Sequence, residues 1–440
     1  MRSSFLSDRL NALRSGDPGK LSVLMATAFI DMVGALMILP LLPFYAVKFG
    51  ASDFMVMVLV SAFSAMQLVS APLWGRVSDR YGRKPTLLIG LAGSAMAYVI
   101  FAYANTYWLL LVSRLVQGAG GGTTGVIQAY VADSVEPKNR AKGLGWLSAA
   151  TNLGVVLGPL FGSETTRWGS HAPGLLAAVL CVLNIAFAWR YLTESHDVRK
   201  KPGAKPPRRM LDAVAGVAWH RIREPSSRLI WMYSVGIGAF YGVNALIILY
   251  LARHFNVTAE KIGPFYAYMG GLSIVFRLFV LGRTVDRFGE ARTTRLGATF
   301  LALGLALIPF TGPLDLPSLL TYLPLAGILA LIPLGTALNF PCVTALLSRV
   351  VGENERGLYL GVQQTYGGLA RVAYPLLAGA LSDHFGEGAP FWLSAAMVAS
   401  TIAMGIGLER YSRQTGEFAV VEEAVEVVEA KVKQEKAVVK

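Results

Sequence analysis

The sequence predicts an all-α integral membrane protein, with twelve transmembrane helices in two pseudo-symmetric six-helix bundles. Three observations predict it: too little charge for a soluble chain, twelve apolar runs, and a charged turn that occurs twice. Of 440 residues, 54% are hydrophobic and 15% charged, against about 25% charged in ordinary soluble domains. Mean hydropathy is +0.50. A soluble protein of this size could not cover so much apolar surface, which leaves lipid as the solvent.

A helix crosses a bilayer with about 20 mostly apolar residues. Such runs lie near 21–47, 55–76, 85–104, 107–131, 142–163 and 172–193, then near 227–253, 262–282, 292–311, 318–347, 357–381 and 389–410. We number these spans 1 to 12. They divide the chain into a tail (1–20), a six-span unit (21–193), a linker (194–226), a second six-span unit (227–410) and a second tail (411–440). The linker contains "RKKPGAKPPRR", basic and proline-rich, and cannot cross lipid. The last tail alternates Val with Glu and Lys, which fits either disorder or a surface helix. The first apolar run, about Leu21 to Val47, is too long for a signal-peptide core of roughly 7–15 residues.

Net charge is +13. The basic residues sit in short connections between apolar runs, so topology explains them better than nucleic-acid binding does. One side collects Arg80, Arg83, Lys84, Lys138, Arg140, Lys142, Arg287, Arg292, Arg295, Arg349 and Arg356, with both tails and the linker. The other has Lys48, Arg167, Arg253 and Lys261. The positive-inside bias makes the rich side cytoplasmic, in a multi-pass cell-membrane protein with both termini inside. Cys181 and Cys342 lie within apolar runs and read as packing residues without a disulfide. His171, His196, His220, His254 and His384 have no partner at helical spacing, so no metal site is expected.

"GRVSDRYGRKP" (75–85) returns as "GRTVDRFGEAR" (282–292), 207 residues later. "KNRAKGLGW" around Arg140 and "NERGLYLGV" around Arg356 are 216 apart, and "GPLFG" (158–162) and "YPLLA" (374–378) share that offset. Internal six-helix repeats are a construction of secondary transporters. In the turn, Gly75 permits close helix approach, Gly82 permits a tight reversal, and Asp79 can sit at the positive end of another helix. The start of span 11, near Gly357, offers such an end. By the repeat, Asp286 faces the start of span 5. The two units would then be latched on the cytoplasmic side. A third look-alike, "GALSDHFG" (379–386), ends span 11 on the other face without a basic cluster and reads as an ordinary helix exit.

At this point the sequence resembles the major facilitator superfamily. The first turn matches its signature in Gly75, Asp79, Arg80, Gly82, Arg83 and Lys84, and Arg287 repeats Arg80 in the second copy. "LVSRLVQGAGGG" (111–122) is similar to the span 4 signature through Arg114, Gln117, Gly118 and Gly120. "GVVLGPLFGS" (154–163) resembles the span 5 signature of proton-coupled exporters in Gly154, Gly158, Pro159 and Gly162, with Ser163 where a second glycine is usual. "FIDMVGALMILPLLPFY" looks like span 1 of the tetracycline-type, twelve-helix drug:proton antiporters, with Asp31, Gly34 and Pro40 in place. The resemblance implies alternating access around a central cavity, spans 1, 4, 7 and 10 lining it and spans 2, 5, 8 and 11 forming the interface. It also implies a monomer, no enzymatic activity and no cofactor, with the proton gradient as energy source.

Asp31 lies about ten residues into span 1, roughly 15 Å deep. A carboxylate there is costly and faces a cavity or a partner. Held between desolvation and a nearby cation, it can load and release a proton; a fixed structural contact is the alternative. Arg114 does not neutralise readily and reads as an electrostatic regulator of coupling. Arg277, near the cytoplasmic end of span 8, reads as structural, whereas Arg371, deeper in span 11, could meet an anionic substrate or a carboxylate. The glycines of "GAGGGTTG" have dinucleotide-loop spacing but lie in an apolar helix, so close packing explains them, and no Walker lysine follows. Cavity candidates are Gln117, Tyr241, Asn244, Asn339, Phe340, Gln363, Gln364, Tyr366 and Arg371. Aromatic rings with a few amides suit an amphipathic organic ligand. The leading expectation is a proton-coupled exporter of such compounds. Sugar or metabolite transport, lipid or glycolipid translocation, and a non-transporting receptor are the alternatives.

Overall fold

A computed structural model of the chain describes residues 18–136, 139–195, 209–217, 223–312, 318–352 and 355–409. Residues 1–17, most of the linker, Lys138 and the second tail lie outside the described residues. In the first half, span 1 is α1 (Pro18–Ile38) followed by α2 (Leu42–Lys48), broken at the proline-flanked Leu39–Leu41 step. Spans 2 and 3 are α3 (Asp53–Tyr81) and α4 (Arg83–Ala102). Span 4 is α5 (Tyr107–Gly121) and α6 (Thr124–Ser134), parted at the glycine run. Spans 5 and 6 are α7 (Arg140–Thr165) and α8 (Ala172–Tyr191).

A short helix, α9 (Arg209–Ala215), lies in the linker. The second half follows as α10 (Pro225–Phe255), α11 (Ile262–Val275), α12 (Leu281–Leu307), α13 (Ser318–Val350), α14 (Arg356–Phe385) and α15 (Ala389–Met404). A π-helical turn, Phe276–Val280, joins α11 to α12 and carries Arg277. Within α12 the chain breaks at Gly289 (φ 73°, ψ 166°), the counterpart of Gly82 (φ 103°, ψ 159°), and so separates span 8 from span 9. Among the described residues there is no strand.

Among the described residues, eight helical segments are long and apolar enough to cross a membrane; one of them, Ile262–Phe310, contains that break. Large apolar side chains such as Val179, Leu183 and Leu278 stay exposed on the outside, where lipid and not water is the compatible solvent. Aromatic residues gather at both rims. Tyr81, Trp189 and Tyr191 lie near the face that bears the basic turns, hereafter the basic face; Trp108, Trp168, Phe310 and Phe385 lie near the opposite one. Such belts mark the two membrane–water boundaries.

The repeat is visible in bonds as well as letters. Arg80 lies over the Tyr81 ring and Arg287 over the Phe288 ring. The Arg140 Nε donates to the Ala132 carbonyl (3.0 Å) and the Arg356 Nε to the Ser348 carbonyl (2.8 Å), each reaching back to the end of the preceding span. Arg83 pairs with Asp133 at 3.0 Å, and Glu290 with Arg349 at 2.5 Å. These are the same two places in each half, with the signs exchanged.

Packing fixes how the halves meet. Toward the opposite face, buried side chains of both halves form one cluster, including Met37, Leu59, Phe101, Leu246, Leu305 and Phe391. Toward the basic face the core divides. Leu24, Ile127 and Tyr130 belong to a cluster of the first half, and Leu229, Leu347 and Val362 to a cluster of the second. The halves are sealed together at one end and separate at the other. The seal is tight at two helix crossings: a Cβ on Gly263 would lie 2.0 Å from the Ser163 Oγ, and one on Gly379 would lie 2.7 Å from the Phe54 Cα. Only glycine allows such approach.

Candidate functional site

In the first half, Asp31 on α1 is half-buried. Two residues on, Val33 is buried in the core, and Gly34 abuts the Tyr98 ring of α4. Tyr98 is 1% exposed and lies within electrostatic reach of both Asp31 and Arg114. Its hydroxyl accepts from the Gln117 Nε2 (3.4 Å), and the Gln117 Oε1 accepts from the Arg114 Nη1. Arg114 is 2% exposed, with its guanidinium 4.6 Å from the centre of the Phe63 ring. No carboxylate lies within ion-pair distance of it among the described residues. A buried cation thus reaches toward Asp31 through Gln117 and Tyr98, across spans 4, 3 and 1. Gln117 is enclosed in this chain. Tyr98 and Phe63 carry no sequence signal that would single them out.

The span 5 pattern divides its contacts. Gly154, Gly158 and Gly162 pack on Met32, Leu36 and Met37 of α1, within their own half, while the Pro159 carbonyl and Ser163 meet Gly263 of α11. The glycines of the span 4 run pack α5 on its neighbours: Gly118 against Phe63 of α3, and Gly120 against Gly90 and Ser94 of α4.

In the second half, the cavity candidates separate into two groups. Gln363 is fully buried and accepts from Thr344; Tyr366 donates to the Val214 carbonyl (2.8 Å); Asn339 donates to the Thr294 carbonyl (3.2 Å). Gln363 and Asn339 fasten the bundle internally, and Tyr366 ties it to the linker helix α9. Phe340 packs edge-on against Tyr233 and against Gly236. Tyr241, Asn244, Gln364 and Arg371 remain partly or fully accessible. Asn244 accepts from the Tyr266 hydroxyl (2.7 Å), and the Arg371 guanidinium lies 5.7 Å from the centre of the Tyr241 ring.

The turn on the basic face is held inside its own half. Arg83, 9% exposed, donates to Ser78 (2.9 Å), Asp79 (2.7 Å) and Asp133 (3.0 Å). Asp79 is therefore bound by Arg83 and not by the start of α14, which departs from the expected latch. Asp286 makes no ion pair and no hydrogen bond among the described residues, so its expected contact with the start of α7 is not made either. Gly75 and Gly282 face open space.

The latch that is closed lies at the opposite face, where the sequence suggested only a helix exit. The Asp383 carboxylate, from the end of α14, accepts from the backbone N–H of Asp53 (3.1 Å) and Phe54 (3.3 Å), at the start of α3. A carboxylate at a helix N-terminus satisfies unpaired donors and the helix dipole together. Asp53, 5% exposed, accepts from Arg253 of α10 in two bonds (2.6 and 3.0 Å) and from Ser382 (2.6 Å). Glu387 binds Arg253 (2.9 Å) and His254 (3.0 Å) from the other side. Ser61 donates to the Val372 carbonyl (2.8 Å) deeper in the same seam. Every one of these bonds except those of Glu387 joins the two halves.

Residues 24–375 match the Major Facilitator Superfamily. Tetracycline resistance protein, class C, of Escherichia coli is 31% identical over 366 residues, which cover 82% of this chain and 89% of that one. Multidrug resistance protein 2 of Bacillus subtilis (strain 168) is 24% identical over 364 residues, covering 82% and 88%. The crystal structure of the nucleoside transporter NupG superposes with a TM-score of 0.73 at 14% identity, over 88% of this chain and 99% of that one, a likeness of fold alone. Matched along most of its length and folded as paired helical bundles, the chain belongs to the Major Facilitator Superfamily, and is a membrane transporter and not an enzyme.

Proposed function

We propose that the chain is a proton-coupled exporter of small amphipathic organic compounds, working by alternating access with Asp31 as the proton-carrying group. The observation that supports it most is Asp31 itself. It is a carboxylate within span 1, without a fixed partner among the described residues, and wired toward a buried arginine through Tyr98 and Gln117. Such a group gains or loses a proton as its surroundings change, while the field of Arg114 resists a proton at one stage and stabilises the carboxylate at another. The similarity to tetracycline and multidrug resistance proteins favours export. The proton gradient serves as the energy source, with no cofactor, and the unit of function is the monomer.

We take the basic face as cytoplasmic, with both termini there. The structure is then the inward-open state: the outer latch is shut and the inner turn is disengaged. The cycle breaks the Asp53–Arg253–Asp383 seam and closes the basic face around Asp79 and Asp286. In inverted vesicles, substrate accumulation should collapse with the pH gradient, and Asp31→Asn should abolish coupled transport. Tyr98→Phe, which removes the bridging hydroxyl, should lower coupled transport several-fold while leaving binding intact. Transport indifferent to both the gradient and Asp31→Asn would remove the proposal.

A further inference from the structure

We propose that Arg371, with Gln364 beside it, receives the anionic group of the substrate, so that the transported compounds are amphipathic organic anions: carboxylates, sulfonates or phosphate esters. This rests on the transporter reading above and narrows its substrate class. The direction of the side chain follows from the packing of α14. Gly367 and Tyr374 meet α10, at Tyr233 and at Gly238 and Gly242, while Gly368 and Val372 meet α3, at Leu68 and Ser61. At about 100° per residue, Gln364 and Arg371 point between these two contacts. Leu369, Ala373 and Leu377, the exposed apolar stripe, point the other way, toward lipid. The direction of Gln364 and Arg371 lies between α10 of one half and α3 of the other, and on it Gln364 is exposed and Arg371 partly exposed.

The guanidinium there is available. Its ε nitrogen bonds the Gly367 carbonyl of its own helix (3.3 Å), and among the described residues its terminal nitrogens have no partner. No Asp or Glu occurs along the second half's spans between their ends; Asp286, Glu290 and Asp383 lie at the turns. An uncompensated cation at membrane depth is costly and is expected only where it faces a cavity or a ligand. The two free nitrogens form the planar fork that fits a carboxylate, sulfonate or phosphate. Around it, the Tyr241 ring and the Asn244–Tyr266 pair offer an aromatic wall with polar points, suited to the body of an amphipathic molecule. Arg114 differs: it is enclosed, and committed to Gln117 and Phe63. Arg114 and Arg371 thus divide the work, one acting on the proton site and one open to ligand. Arg371 also adjoins Val372, which takes the bond from Ser61 of the other half. An anion seated on it would lie where the halves touch.

The test is equilibrium binding to the full-length protein in phosphatidylcholine nanodiscs, with no pH gradient. The probes are 1-naphthylacetate, 2-naphthalenesulfonate and 1-naphthyl phosphate, each against a neutral counterpart (1-naphthylacetamide, 2-naphthalenesulfonamide and 1-naphthol). At least one anion should bind ten-fold or more tightly than its counterpart. Arg371→Gln should erase that preference and Arg371→Lys should keep part of it. Gln364→Leu, on the same face, should weaken the anion several-fold, and it serves if Arg371→Gln does not fold. No preference for any anion, or a preference unchanged in Arg371→Gln, overturns the proposal. So does displacement of all three probes by phosphatidylglycerol nanodiscs, which would assign the site to lipid headgroups. Because no gradient is used, failure here leaves proton coupling standing, and failure of coupling leaves this binding result standing.

Discussion

The turn after span 2 and the exit of span 11 have one local structure and opposite uses. Both read Gly-x-x-Ser-Asp-x-aromatic-Gly: Gly75, Ser78, Asp79, Tyr81 and Gly82 on the basic face; Gly379, Ser382, Asp383, Phe385 and Gly386 on the other. Both end in a glycine with positive φ (103° and 87°) whose N–H returns to the serine carbonyl. The difference lies four residues beyond the aspartate. Arg83 stands four beyond Asp79 and draws it back into its own half. Glu387 stands four beyond Asp383 and cannot. Asp383 is left to cross to the start of α3, while Glu387 takes Arg253. The second basic-face turn sides with the exit: Glu290 stands four beyond Asp286 and pairs with Arg349, and Asp286 is left unpaired among the described residues. Arginine at this one position ties the aspartate to its own bundle; glutamate leaves it untied, crossing to the other half at Asp383 and unpaired among the described residues at Asp286.

The comparison breaks most readily at Asp53. Asp53→Ala removes the partner of Arg253 and of Ser382 in a closed seam. Losing one member of a buried pair costs about 3–5 kcal/mol; Arg253 is 40% exposed, so a smaller value, near 2 kcal/mol, is expected after solvent screening. That is still more than ten-fold in the conformational equilibrium. Spin labels at positions 108 and 385, both at the opposite rim, should move apart while labels at positions 81 and 288 approach. An unchanged distance at the opposite rim would mean that the seam holds without the Asp53 carboxylate, through apolar packing and the Asp383 and Ser61 bonds.

Glu387→Arg sharpens the same comparison, because it gives the exit the residue found in the turn. The new arginine should take Asp383 within its own helix end and repel Arg253. The seam should loosen by about 1 kcal/mol, read from the same label pair. If the seam stays as tight as before, the residue at this position does not govern the aspartate. The smallest effect concerns the exchanged pair of the second half. Arg349→Glu against Glu290 should lower thermal stability by about 1 kcal/mol, and adding Glu290→Arg should restore most of it. Failure to recover would show that the pair is not the interaction lost.

The spans and their pairing were largely legible, because lipid leaves an apolar run no alternative to a helix. Hydropathy by itself falls short at spans 4, 11 and 12. Span 4 is broken at Gly122, span 11 carries Arg371 and two amides, and α15 is short. Those spans are legible as apolar runs bounded by charged or Gly/Pro connections. The proton site was half legible: Asp31 and Arg114 stand out as charges in apolar runs, but Tyr98 and Gln117 join them only through the fold. The sequence points to a latch on the basic face while the one closed in this structure is on the other, for a physical reason. Every latch residue can be bound in more than one way, and a sequence shows the capacity without showing the state. The second Ser-Asp-x-aromatic-Gly, at 382–386, was the available clue; the missing basic cluster hid it, although that absence is what frees Asp383.

The sign exchange between Arg83–Asp133 and Glu290–Arg349 bears on how a duplicated chain sorts itself. During insertion, spans 3 and 9 are related sequences, as are spans 4 and 10, and each could dock on the wrong sibling. A mismatched span 3 and span 10 would bring Arg83 against Arg349; a mismatched span 9 and span 4 would bring Glu290 against Asp133. Only the correct partnership within each bundle joins opposite charges, so two inherited copies are kept from assembling as one another.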